Sequence, residues 1–202
     1  MIREITDSKL VKKGFNQVYF ITDNYEILLN DIKKGTGFDG HSHPHHQFVY
    51  CFQGRFDLTV KGIRHPVKRG DSLLINAGAE HSVDAAADFK SMDVKYLSGG
   101  KETVDLRLNV LEEKVNNDDL LLETAQLNGM KLRKIMNKKN TALINISAKK
   151  TCDYFFIAPG ETRIKIDGVG FEFQPMTIYQ MAGREEFSLL LMSSGYLLVL
   201  EI

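Results

Sequence analysis

Apolar residues along the chain fall in short runs, "YEILLNDI", "QFVYCF", "FDLTV", "DSLLI", "SMDVKYL", "ALINI", "YFFIA", "RIKID", "FEF" and "SLLLM". They are rich in β-branched and aromatic residues and are separated by glycine-containing turns, which is the signature of strands. Many short strands at regular spacing predict a β-sandwich or barrel, so the expected class is all-β. One stretch reads differently. Residues 103 to 139 are dense in Glu, Lys and Leu, with Asn116, Asn117 and Gly129 as interruptions. A short helix or coil is expected there, leading into a strand near Met130 to Met136.

The pattern also repeats. Shifted by 106 positions, "FVYCFQGRFDLTVKGIRHPVKRGDSLLI" from Phe48 lies without gaps over "YFFIAPGETRIKIDGVGFEFQPMTIYQM" from Tyr154. Gly54 meets Gly160, Val60 meets Ile166 and Gly62 meets Gly168, and "MDVKYL" falls near "LLVLEI". Matching turn glycines inside a matching apolar pattern are what a duplicated hairpin leaves, although two unrelated hairpins can also align over this length. Duplication is the reading adopted. It places a boundary near Ser98-Gly99-Gly100, giving an N-terminal domain of residues 1–100 and a C-terminal one of 101–202.

Composition narrows the partners more than the fold. A chain of 202 residues, 43% hydrophobic and 26% charged, has the balance of a soluble globular protein. Twenty-six basic residues offset twenty-six acidic ones, so no net charge draws it to nucleic acid or an acidic membrane surface. The start, "MIREITDSKLVKKGF", is charged throughout and has no apolar run of signal-peptide length, and no later run approaches a membrane span. A cytoplasmic location is the resulting expectation. Cys51 and Cys152 lie in apolar, strand-like runs and are expected to be buried free thiols rather than a disulfide.

The candidate chemistry sits in "GHSHPHHQFVYCFQG", where four of the six histidines fall within six positions. On an extended segment the imidazoles of His41 and His43 leave the same face. Pro44 interrupts, His45 and His46 are expected to fill a solvated turn, and Gln47 opens the next strand. Farther on, "GDSLLINAGAEH" runs through a buried strand and a tight turn to His81, which can bring a third imidazole to the first two.

The spacing His41-x-His43-x3-Gln47-x6-Gly54, followed by Gly70-x7-Gly78-x2-His81, resembles the two motifs of the cupin superfamily. Glutamate is usual at the Gln47 position and proline at the Asn76 position. The resemblance is strong over residues 40 to 84 and extends through the repeat to the rest. It implies two double-stranded β-helix barrels in tandem, a bicupin, with His41, His43, Gln47 and His81 as ligands of one divalent metal ion: nickel, zinc, manganese or iron. The second half departs from the pattern. Ser147, Lys149 and Asp153 stand at the shifted positions, "GREEF" replaces the region of His81, and no histidine follows His81. That half is expected to be structural.

Gln47 offers a neutral amide oxygen where glutamate would bring a charge. A divalent cation among three neutral imidazoles and an amide keeps its double positive charge, holds anionic oxygen donors and acidifies bound water. The set is similar to that of cupins that convert unsaturated uronates to open-chain keto sugars. Those enzymes carry an Asp-Val-Phe stretch whose aspartate shuttles protons. "DVKYL" matches the Asp-Val pair at Asp93, which the resemblance makes the candidate catalytic residue, while Lys95 replaces the aromatic and the downstream arginine is absent. The alternative for Asp93 is a surface residue on an edge strand. Arg55 and Lys61 are either partners for a substrate carboxylate or plain surface charges.

The expected function is therefore a metal-dependent isomerase, ring-opening enzyme or lyase acting on a small anionic carbohydrate-derived or hydroxy-acid substrate. The alternatives are an iron-dependent dioxygenase and a sugar-binding cupin without turnover, since "HHQFVYCFQGRFDLTV" also resembles the sensor domains of arabinose-type regulators. The C-terminal half is strand-rich and offers no helix pair for a DNA groove, and the net charge is zero, so no nucleic-acid partner is expected. Exposed strand edges make a homodimer the expected assembly.

Overall fold

Alternation decides which side of each strand is buried. In "TRIKI", Thr162, Ile164 and Ile166 are buried while Arg163 and Lys165 are exposed, as a sheet with one wet face requires. "HQFVYCFQ" has no such alternation and is buried along both faces up to Gln53. The computed structural model describes residues 2–97, 105–127, 130–139, 142–147, 152–182, 186–192 and 195–202. Among them every regular element is a strand.

The strands are, in order, β1 (Ile2–Ile5), β2 (Ser8–Lys12), β3 (Phe15–Ile21), β4 (Tyr25–Ile32), β5 (Gly37–His41), β6 (His46–Gln53), β7 (Arg55–Val60) and β8 (Ile63–Lys68). There follow β9 (Ser72–Ile75), β10 (His81–Asp84), β11 (Phe89–Tyr96), β12 (Leu106–Leu108), β13 (Glu112–Asn116), β14 (Leu120–Leu127) and β15 (Met130–Asn137). The last are β16 (Ala142–Ser147), β17 (Tyr154–Ile157), β18 (Thr162–Ile166), β19 (Val169–Phe173), β20 (Ile178–Met181), β21 (Glu186–Leu191) and β22 (Gly195–Glu201).

Two compact units result, one of Asp7–Val110 and one of Leu111–Ile202 with Met1–Thr6. The boundary expected at Ser98-Gly99-Gly100 lies outside the described residues. The units divide farther on because β12 pairs with β9, and the first residues join the C-terminal unit because β1 pairs with β20.

In the N-terminal unit a sheet ordered β12-β9-β6-β11-β4-β3-β2 faces one ordered β5-β10-β7-β8. Phe15, Val49, Leu73 and Phe89 from the first meet Phe56, Leu58 and Val67 from the second in its core. The C-terminal unit repeats both orders strand for strand, as β1-β20-β17-β22-β15-β14-β13 and β16-β21-β18-β19. The matched glycines mark the same turn in each. Lys61-Gly62 and Asp167-Gly168 both have positive φ at both residues, 46° and 79° in one and 49° and 80° in the other. This is the two-residue hairpin turn whose twist suits the flanking strands.

The helix or coil expected over residues 103–139 is corrected. Among its described residues that stretch contains β12 and a meander of β13, β14 and β15, so the strand expected near Met130–Met136 is present and no helix is. The side chain of Asn117 accepts from the backbone N–H groups of Asp119 and Leu120, closing a turn where a helix would have continued. Cys51 is buried, Cys152 is half-buried, and both are free.

Candidate metal centre

The pairing of β5 with β10 sets His41 opposite His81, and β10 in turn sets His81 opposite Val60. His43 lies in the connection to β6, and Gln47, second in β6, faces the barrel interior beside Ile75 and Lys95. The three imidazoles come together. Their ring centroids are 4.4 Å apart for His41 and His81, 5.1 Å for His43 and His81, and 5.8 Å for His41 and His43. One ring nitrogen from each lies within 4.8 Å of the others.

Each ring is tied down through Nδ1. His41 bonds the carbonyl of Asp39, His43 that of His45 and His81 that of Ala79, each at 2.9 Å. A ring that donates from Nδ1 keeps an unshared pair on Nε2, the tautomer metal-binding histidines adopt. The Nε2 of His81 is buried without a hydrogen-bond partner. Burial pushes the His81 pKa down to about 4 and also lowers that of His43, so both rings are neutral at neutral pH.

The fourth position supplies the test of fit. Gln47 donates from Nε2 to Asp93 Oδ2 at 3.2 Å, which turns Oε1 toward His43 Nε2 at 2.8 Å. With the His43 proton on Nδ1, two unshared pairs face each other across that gap. Such a contact needs a positive charge between them, either a proton or a shared cation. Desolvation disfavours the proton, so His41, His43, His81 and Gln47 fit a divalent cation, consistent with N and O ligands.

The site opens on a cavity of about 300 Å³ inside the N-terminal barrel, lined by His41, Gln47, His81 and Asp93. Phenylalanines form much of its wall: Phe15 packs edge-on to Phe38 at 4.8 Å, and Phe56 against Phe89 at 4.5 Å. Asp93 is not on an edge strand. It lies mid-β11 between β4 and β6, is 6% exposed, and its pKa is pushed up to about 6 by burial. On the same face of β11, Ser91 bonds its Oδ1 and Lys95 lines the cavity 3.5 Å from Glu26.

Other sequence expectations fall elsewhere. His46 is no solvated turn residue: it opens β6 facing away from Gln47, is buried, bonds Asn76 at 3.0 Å and stacks on Tyr96 at 5.7 Å. The strand begins one position earlier than expected, and its alternation accounts for this. His45 is half-buried and serves through its carbonyl. Lys61 sits in the β7–β8 turn, 2.8 Å from Asp105, and neither it nor Arg55 lines the cavity. Gln17, Asn30, Ser91 and Lys95 were missed as site residues. Their signal is a polar letter at an inward position of an apolar strand, as in Leu28, Asn30, Ile32.

In the C-terminal unit the places equivalent to Gln47, His81 and Asp93 are apolar or aromatic. Tyr154 stands opposite Met181 as Gln47 stands opposite Ile75, Leu189 opposite Ile166 as His81 opposite Val60, and Val199 opposite Phe156 as Asp93 opposite Val49. Tyr154, Leu189 and Val199 all belong to that unit's core. Register therefore puts Tyr154, not Asp153, in the place of Gln47. Lys149 lies outside the described residues, as do positions 183–185 of "GREEF". Among the described residues, the grouping of three metal-binding side chains is that of His41, His43 and His81.

Residues 28–95 match the family model described as cupin domain. No curated protein sequence matches the chain. Among solved structures, the bacterial pirin YhhW from Escherichia coli in complex with nickel(II) is 12% identical, with a TM-score of 0.74 over 100% of this chain and 99% of that one. Bacillus subtilis oxalate decarboxylase, studied for its Mn(II) centres, is 13% identical at TM-score 0.71, with 100% and 76% covered. Quercetin 2,3-dioxygenase from Acinetobacter baumannii is 13% identical at TM-score 0.75, with 100% and 78% covered. At such identities the likeness is one of fold.

Proposed function

We propose that this chain, with a cupin domain at residues 28–95 and the same sheet orders in both units, is a metal-dependent enzyme of the cupin superfamily. Its N-terminal barrel would act on a small anionic substrate, carbohydrate-derived or a hydroxy acid, by isomerisation, ring opening or elimination. The carrying observation is the convergence of three backbone-anchored imidazoles and the Gln47 oxygen on a cavity that also holds Asp93 and Lys95. When bound, a divalent cation at His41, His43, Gln47 and His81 supplies a Lewis acid that polarises a substrate oxygen.

The chain's own groups do the rest. Asp93, with a pKa near 6, is mostly ionised at neutral pH yet basic enough to take a proton from a carbon beside a polarised carbonyl and return it to a neighbouring one. Lys95 brings a cation to the cavity lining that can receive a carboxylate in exchange for Glu26. The phenylalanine walls keep water from the reacting centre. The C-terminal unit, whose places equivalent to Gln47, His81 and Asp93 are filled by core side chains, has a structural part. A cytoplasmic homodimer working in carbohydrate metabolism completes the proposal.

Elemental analysis of freshly purified protein tests it. One divalent ion per chain is expected, lost in His41→Ala and His81→Ala. Native protein without metal, and none held after reconstitution, overturns the reading. Calorimetry that finds tight sugar binding but no turnover of any anionic sugar would make the protein a binding module instead.

A further inference from the structure

An amide can turn either end to the histidines, and only its oxygen is a ligand. We propose that Asp93 is a positioning residue that fixes Gln47 with Oε1 toward the histidine cluster, and that Ser91, Asn30 and Gln17 hold Asp93 for this task. The inference rests on the reading that the cluster binds a cation.

A row of polar side chains crosses the sheet from β3 to β6. Gln17 donates to Asn30 Oδ1 at 2.8 Å, Asn30 donates to Ser91 Oγ at 3.1 Å, and Ser91 donates to Asp93 Oδ1 at 3.2 Å. From the other side Gln47 donates to Asp93 Oδ2 at 3.2 Å. Cross-strand register builds the row, since Gln17 and Ser91 both stand opposite Asn30. Gln17, Asn30, Ser91, Gln47 and Asp93 are all buried, and each finds its hydrogen-bond partner in the next member of the row. A carboxylate has no proton to give, so both neighbours must donate to it. That leaves Gln47 one orientation, with N–H toward Asp93 and oxygen toward His43. The pair also explains the glutamine. A glutamate at position 47 would set two carboxylates against each other, whereas Gln47 with Asp93 keeps one negative charge directly behind a neutral ligand, where it strengthens the donor.

The test is a double-mutant cycle on Co(II) binding, read by chelator competition and by the visible spectrum, which reports the donor set. Asp93→Asn places an amide against an amide and is expected to weaken Co(II) binding about 10- to 100-fold and alter the spectrum. Gln47→Glu alone is expected to weaken it as well. Combined, the amide introduced at 93 can donate to the carboxylate introduced at 47, so the double variant should recover affinity to the wild-type level or beyond. Ser91→Ala, a gentler change, should give a smaller loss and carries the test if Asp93→Asn does not fold by thermal unfolding. Losses that simply multiply in the double variant, or unchanged affinity in Asp93→Asn, overturn the positioning role while wild-type binding upholds the metal reading. A wild type that takes no Co(II) overturns both.

Discussion

His81 and Asp93 are pushed toward neutrality by the same burial, and their effects on stability have opposite sign. The unfolded histidine titrates near its ordinary 6.5 and the folded one near 4, so between those values the unfolded chain binds more protons and stability is lost as pH falls. The folded Asp93 titrates near 6 against an ordinary 3.8, so between those values the folded chain binds more protons and stability is lost as pH rises. In metal-stripped protein the two contributions largely cancel from about pH 4 to 6. Removing either exposes the other. Calorimetric Tm of His81→Gln is expected to fall relative to wild type as pH is raised through that window, and that of Asp93→Asn to fall as pH is lowered through it. Parallel Tm profiles in all three proteins would contradict this. At this scale the ligand histidines were legible because each of their neighbouring glycines and turns is local in sequence. Gln17 and Asn30 were not, because their partners come from register across strands 13 and 61 residues apart.

Elements were legible where the chain alternates or runs apolar between glycines, and illegible where two tendencies compete. In "LEEKVNNDDLLLETAQL" the residue types favour a helix, but the Asn117 turn and the pairing of β14 with β15 over Leu120 to Leu127 prevail. Turn glycines differ in what they demand. Gly54 has φ of 77°, and a Cβ there would meet the Asp88 carbonyl oxygen at 1.9 Å. Its counterpart Gly160 has nothing within 4 Å. Gly54→Ala should therefore cost at least about 1–2 kcal/mol from the left-handed backbone alone, with a further cost for moving the β10–β11 connection. Gly160→Ala should cost clearly less. Urea unfolding of the two variants side by side measures the difference, and equal losses would count against this account.

For the molecule as a whole, duplication was legible as a shift of 106 residues, and both sheet orders recur. What the shift hid was a slip of one residue in β17, which moves Asp153 off the inward face and puts Tyr154 there. The exchange of terminal strands was equally hidden: "IREI" and "LRL" are too short to announce their partners. Deleting residues 2–6 is expected to leave β20 with one open edge, giving faster hydrogen exchange in Ile178–Met181, while metal content stays as in the full chain. Unchanged exchange there would contradict the pairing.

That first strand has a consequence for synthesis. β1 leaves the ribosome well ahead of its partner, which begins at Ile178 and follows on the order of ten to thirty seconds later at ordinary translation rates. Meanwhile β9, the counterpart of β20, emerges about a hundred residues sooner and offers the same kind of edge, which belongs to β12. Correct folding thus depends on β9 refusing the early strand and waiting for the later one, a choice the nascent chain faces on every round of translation.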